Sequence, residues 1–366
     1  MLTIDKLNKV SFAAAIEYER NIPNMIEEIN DRMIKLNDEF ALIGENPISV
    51  MFDNHENHAK FIANVLKLND FEMLERTLTW AVESYSARGF KPEYFLFLLN
   101  NLIDIINKQI EPNYSSDIIK VYEYIIDEVK RTEKGKKRKI YGEYPFDDNW
   151  LDLKKEFTRI LLDAKFAEAV KFTKEIVHDR ESLEEFYLKV ITYSMYEIGD
   201  MWQDGRITVA QEHLATSIVM RVMATVYIDF ILIDYNKGKA IVSAASNEYH
   251  EVGARVVSDM LELDGWDVKY IGANIPNDEM INCIKEEKPV FVGISVAMTF
   301  NLDNVRDLIE KIRADEEIKD TKVFLGGLAF KFGSIELDIG ADAIGRDIDD
   351  TIKVSREWWR KANAER

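Results

Sequence analysis

Three short, almost wholly apolar runs at 240–246, 290–295 and 323–325 constrain this chain most. They lack the polar alternation of a strand with one wet face, so each reads as a strand buried on both faces of a parallel sheet. Helical stretches near 250–264, 277–287, 301–314 and 348–363 separate them from one another and from two further strands near 268–272 and 342–345. Asn274, Ile275 and Pro276 mark the turn after the second strand. Such alternation with short Gly, Asn and Asp loops specifies a doubly wound α/β sheet over 238–366.

Distinctive residues follow these runs: Glu248, His250 and Gly253 after the first, Ser295 at the end of the next, and Gly326 with Gly327 after the third. Open α/β sheets bind ligands at the carboxyl ends of their strands. An imidazole on such a loop is suited to cobalt, and Glu248, two residues away, can orient the ring by a hydrogen bond. Gly253 carries no side chain, which lets a bulky group pass close to the backbone.

The spacing is E-x-H-x-x-G, forty-one residues, S-x-A, twenty-eight residues, then G-G. It resembles the base-off, His-on cobalamin-binding domain, whose pattern is D/E-x-H-x-x-G, S-x-L and G-G at matching separations. Ala297 stands where that family has leucine. The resemblance implies a flavodoxin-like domain in which His250 is the lower axial ligand of cobalt. It further implies a slot for the displaced nucleotide tail, lined by Gly253, Ser295, Thr299, Gly326 and Gly327. The bland alternative is a surface histidine in an ordinary flavodoxin-like domain.

Residues 148–236 carry no strand signal. Leu161, Leu162, Phe166, Val170 and Phe172 recur at helical spacing, as do Leu188, Ile191, Met195 and Ile198. About four helices are expected, broken near 179–182, 200–208 and 234–237. A four-helix bundle directly before a cobalamin domain resembles the cap that covers the upper face of the corrin. Within it, Trp202, Glu212 and His213 form W-x9-E-H, which resembles the adenosylcobalamin-dependent photoreceptors of bacteria. Taken singly, Trp202 is ordinary core, and Glu212 with His213 is an exposed helix start. At the family spacing, Trp202 is expected against the adenosyl group and Glu212 on its ribose or adenine. His213 is expected near the upper face, where it becomes the upper cobalt ligand after light. His178 matches no motif and reads as structural.

Residues 1–140 are also helical, with a first helix or helix pair broken at Pro23 and further helices at 54–68, 70–88, 92–110 and 114–131. No helix-turn-helix recognition pattern and no catalytic signature is present. His58, Phe61, Leu66, Trp80, Arg88, Gly89, Tyr94 and Leu98 resemble the helical domain of photocobilins, which implies a non-covalently held biliverdin here. His55 and His58, three apart on one helix face, read as surface histidines. A helical dimerisation or signalling module is the competing account of the segment.

A net charge of −19 argues against a nucleic-acid binder, whose affinity comes from neutralising phosphates. The basic cluster between Lys130 and Lys139 reads as a solvated linker. One cysteine, Cys283, excludes an internal disulfide framework and fits a reducing cytoplasm. Neither a signal peptide nor an apolar run of membrane-spanning length is seen.

The expectation is a non-enzymatic light sensor that binds adenosylcobalamin. Breakage of the Co–C bond frees the cap and changes association with a second copy or a separate signalling protein. The main alternative is a corrinoid methyl carrier of a methyltransferase system, and a cobalamin storage or trafficking protein is a third reading.

Overall fold

Six helices fill the amino-terminal part of the computed structural model, which describes residues 3–36, 39–132, 144–230, 235–331 and 339–364. They are α1 (Phe12–Ile34), α2 (Glu39–Ile43), α3 (Ile48–Leu68), α4 (Phe71–Ala87), α5 (Pro92–Gln109) and α6 (Pro112–Thr132). Their starts follow local chemistry. The Ser11 hydroxyl accepts from the Ala14 N–H at 3.2 Å and the Asp70 carboxylate from the Met73 N–H at 2.8 Å, while Pro92 and Pro112 open α5 and α6. By contact the chain forms two units, Met1–Ile140 with Gln203–Arg206, and Tyr141–Trp202 with Ile207–Arg366.

Three expectations for the first unit are corrected. Pro23 does not break the first helix, since α1 runs unbroken from Phe12 to Ile34. Pro23 lies on the solvent face, while Tyr18, Ile22, Met25 and Ile29 are buried on the face that packs on α3 and α5. That packed stripe on both sides of the proline outweighs one lost backbone hydrogen bond. Nor are His55 and His58 surface residues, because α3 turns both inward. His55 is 1% exposed, its Nδ1 lies 2.6 Å from the Asn30 Oδ1, and its ring stacks on Tyr94. The buried His58 Nε2 has no protein partner, and the ring meets Tyr122 edge-on. α3 also starts at Ile48 rather than near 54, directly after Pro47.

The second unit begins with α7 (Asp148–Leu162) and α8 (Phe166–Ile176). A long rod follows: α9 (Arg180–Glu185), a π-helical turn at Phe186–Ile191, and α10 (Thr192–Gln203). The last helix of this bundle is α11 (Val209–Tyr227), and reciprocal capping boxes, Asp179 with Ser182 and Thr208 with Gln211, start α9 and α11. The basic residues Lys134 to Lys139 lie outside the described residues, as does Asp234, while the rest of the break expected near 234–237, residues 235–237, is not helical.

Beyond the bundle, the order is β1 (Lys239–Ala244), α12 (Val252–Leu263), β2 (Asp267–Tyr270), α13 (Asn277–Glu287), β3 (Phe291–Ser295), α14 (Leu302–Ala314), β4 (Lys322–Gly326), α15 (Leu328–Lys331), β5 (Ala343–Ile344) and α16 (Ile348–Ala364). The strands pair in parallel in the order β2-β1-β3-β4-β5, a doubly wound sheet whose direction of winding reverses between β1 and β3. Ala244 pairs with Ser295, and Ser295 with Gly326, so the three central strands end level.

One helix serves two cores. Ala254 and Leu261 of α12 pack with Ala240, Val242 and Phe291 of the sheet, around the buried indole of Trp266. Val256, Met260 and Leu263 pack with Phe186, Val190 and Val222 of the bundle. Burial of an indole the size of Trp266 contributes roughly 4–6 kcal/mol. Among the described residues no helix is long and apolar enough to cross a membrane.

The buried imidazoles give the first unit an acid sensitivity. Burial first, then the neighbouring His58, pushes His55 from 6.5 down to about 3, and burial alone pushes His58 down to about 4. Both are neutral in the folded unit, so unfolding takes up protons once pH drops below about 6.5. Stability is therefore full above that pH and falls as pH drops toward the folded values. Lowering the pH from about 6.5 to about 5 costs about 2 kcal/mol through His55. Urea unfolding followed by helical circular dichroism should show this loss, and His55→Leu should remove its share and leave the slope due to His58.

Candidate functional site

The level ends of β1, β3 and β4 set three loops side by side, and a buried carboxylate joins two of them. Glu248 is 1% exposed. Its Oε2 accepts from the backbone N–H groups of Ala297 at 3.0 Å and Met298 at 2.8 Å, and from the Asn301 amide at 3.1 Å. Its Oε1 accepts from the His250 backbone N–H at 3.2 Å and lies 2.5 Å from the His250 Nδ1. Burial alone would push this carboxyl up. The His250 hydrogen bond and charge, with the Met298 and His250 amides, outweigh burial and hold it below the usual range.

With Nδ1 donating to a carboxylate, the His250 ring is fixed and its Nε2 is left as the lone-pair nitrogen. The imidazole is 62% exposed, so that nitrogen is open to a ligand. The Glu248 hydrogen bond raises its pKa; burial opposes this, and the charges of Glu248 and Glu212 reinforce it. Glu212 on α11 therefore lies close enough to the His250 loop to act on it electrostatically.

The glycines differ in their reasons. Gly327 has φ +100°, and a Cβ there would stand 2.4 Å from the Val296 carbonyl oxygen, so the backbone itself demands glycine. At Gly253 a Cβ would meet only the Ser295 Oγ, at 3.7 Å. A Cβ there would be in ordinary van der Waals contact with the Ser295 hydroxyl, so Gly253 and Ser295 are neighbours and the missing side chain keeps the backbone approachable beside that hydroxyl. Thr299 starts a 3-10 turn, Thr299–Asn301, which carries Asn301 back to Glu248.

The upper-face candidates sit on the bundle. Trp202, near the end of α10, is half-buried against the bundle core. Glu212 and His213 open α11. The Glu212 carboxylate accepts from the Thr216 hydroxyl at 2.9 Å and lies 2.6 Å from the His213 Nδ1, whose side chain is 74% exposed. Below them a cleft of about 370 Å³ is lined by His213, Thr216, Ser217, Met220 and Arg221 of α11 and by Glu251, the residue after His250. The cleft thus joins the bundle to the lower loop. Nothing in the sequence marks Asn301 or the amides of Ala297 and Met298 as partners of Glu248. A buried carboxylate demands donors, but only folding shows which ones arrive.

One oriented imidazole with an open Nε2, beside a side-chain-free slot and under an open cleft, fits a metal that brings its own equatorial ligands better than a bare ion. Among the described residues no group of three His, Cys, Asp or Glu converges as a metal cage.

A B12 binding domain model matches residues 238–353, and a second B12 binding domain model matches 153–227. Dimethylamine corrinoid protein 3 of Methanosarcina acetivorans is 25% identical over 194 residues, covering 53% of this chain and 89% of that protein. Monomethylamine corrinoid protein 1 of Methanosarcina mazei is 26% identical over 209 residues, covering 55% and 94%. The solved monomethylamine corrinoid protein of Methanosarcina barkeri overlaps 57% of this chain and 98% of its own at 20% identity, with a TM-score of 0.48.

Glu248→Ala should strand the three donors from Ala297, Met298 and Asn301 and release the His250 ring. A loss of about 3–5 kcal/mol in unfolding free energy is expected. Glu248→Gln, which still accepts, should lose less. Denaturant midpoints of the two variants check the order.

Proposed function

We propose that this cobalamin-binding protein holds a corrinoid between the bundle and the carboxyl edge of the sheet and carries a one-carbon group on it for a separate partner chain. The observation that bears most weight is the Glu248–His250 pair, which presents one oriented nitrogen to a metal from below. The relatives are methylamine corrinoid proteins, matched over 194 and 209 residues. That favours a methyl carrier over the light sensor expected from the cap motif. When bound, the cofactor supplies a reactive organocobalt bond on its upper face. The chain holds the lower side with His250, accommodates the nucleotide tail along Gly253, Ser295, Thr299, Gly326 and Gly327, and covers the upper side with Trp202, Glu212 and His213. On this reading the chain is a carrier subunit and its partner supplies the catalytic groups.

A second reading is favoured by one specific arrangement: Trp202, Glu212 and His213 keep the W-x9-E-H spacing, and the charge of Glu212 acts on His250. On that reading the native cofactor is adenosylcobalamin, light is the signal, and His213 takes the upper position afterwards. The output is altered association with a second copy or a signalling protein. A biliverdin in the first unit belongs to this reading alone.

Absorption titrations of the purified chain with methyl- and adenosylcobalamin, before and after green light, separate the two. A methyl carrier should bind both forms within a few-fold, with no change of elution volume on illumination. A light sensor should prefer adenosylcobalamin by about tenfold or more, lose that preference in Glu212→Ala, and change elution volume in light. Under either reading His250→Ala should abolish the His-on spectrum and weaken retention on desalting. A His-on spectrum that survives this substitution would overturn the lower-ligand assignment.

A further inference from the structure

Asp259 has no role in the site as described, yet it is a carboxylic acid with 0% exposure in the middle of α12. It lies among the α12 residues that pack on the bundle, where Val256, Met260 and Leu263 are apolar. A hydrophobic side chain there would cost less, since a buried acid must recover its desolvation from its partners. Those partners come from both sides of the contact. The Tyr187 hydroxyl donates to the Asp259 Oδ2 at 3.0 Å. Tyr187 belongs to the π-helical turn Phe186–Ile191, and the Thr192 hydroxyl donates to its carbonyl at 2.8 Å. A π-turn is a local change of helix register and commonly marks a working site.

On the other side, the Arg255 Nε lies 2.7 Å from the Asp259 Oδ1. Its guanidinium sits 5.3 Å from the Tyr270 ring centre and 5.9 Å from that of Tyr227. The Tyr270 hydroxyl in turn donates to the Glu251 carboxylate at 3.2 Å. Glu251 follows His250 and lines the cleft under α11. A chain of contacts, one of them the cation–π contact of Arg255 with Tyr270, therefore runs from the bundle's π-turn, through Asp259, to the residue beside the proposed lower ligand.

We propose that Asp259 is a positioning residue that latches the bundle, through Tyr187, onto the helix following the His250 loop, and that loss of its proton loosens the cover over the corrinoid. Burial pushes the Asp259 carboxyl from 3.8 up to about 7. Arg255 and Tyr187 pull it down, and Glu262 on α12 pushes it further up. Tyr227, on α11, and Tyr270, on β2, are the other titratable groups that feel its charge. The sign follows from where each form is tolerated. Burial disfavours the ionised acid in the docked state even with Arg255 and Tyr187 beside it, whereas an opened state lets water solvate the carboxylate. Raising pH through about 7 therefore favours opening.

The test uses the full chain loaded with hydroxocobalamin and rests on the cobalamin-binding reading. Release after dilution should quicken at least about fivefold between about pH 6 and pH 8 in the wild type. Asp259→Asn keeps the shape but cannot ionise there, so its release should be slow at both pH values apart from any slope due to His250. Tyr187→Phe removes the bundle's hydrogen bond and should release quickly at both. Backbone hydrogen exchange across Phe186–Ile191 in the cofactor-free chain should show the same pattern. An equal pH slope in wild type and Asp259→Asn, or an unchanged Tyr187→Phe, overturns the latch. Failure to bind any cobalamin overturns the parent reading instead, and the exchange measurement still decides the latch on its own.

Discussion

Everything at the sheet's carboxyl edge depends on a carboxylate sealed from water. A buried charge is tolerated only when its lone pairs are filled, and Glu248 fills them from three segments: its own loop, the residues after β3, and Asn301. The same contacts that make the charge affordable tie the β1 loop to the β3 loop and fix the plane of one imidazole. Orientation, tautomer and loop geometry are thus consequences of one satisfied ion. A free histidine on a loop would sample many rotamers, whereas this one is held with Nε2 outward.

α12 carries the second constraint. A helix with one apolar face and one polar face would pack on the sheet and leave the bundle to find its own anchorage. Here both faces are apolar, and the one toward the bundle is interrupted by Asp259 and Arg255. The bundle is consequently anchored on the helix that follows His250. Movement of the bundle cannot leave α12 untouched, because protein cores repack in steps rather than stretching.

The sheet and its ligand edge were legible because they rest on short-range patterns: apolar runs of strand length, and polar or glycine residues directly after them. Gly327 could be read as necessary from its place in the motif, and its backbone angle supplies the reason. The donors to Glu248 were not legible, since Asn301 reaches it only through a turn that no periodicity encodes. Asp259 was hidden for a similar reason, as an acid inside an amphipathic pattern looks like part of the wet face. In the first unit, local rules misled. Proline argued for a break in α1, but packing on either side kept the helix whole. Two histidines on one face looked solvated until α3 turned that face inward. Segments whose structure is decided by distant neighbours resist a linear reading.

The reach of Glu248 along the chain also bears on assembly. Its side-chain partners from the β3 side lie 49 to 53 residues further on, so they arrive only after β2, α13 and β3 have been made and paired. Closing so long a loop is a late event in a parallel sheet. A half-folded chain therefore lacks the donors that tie the two loops together and fix the plane of the His250 imidazole.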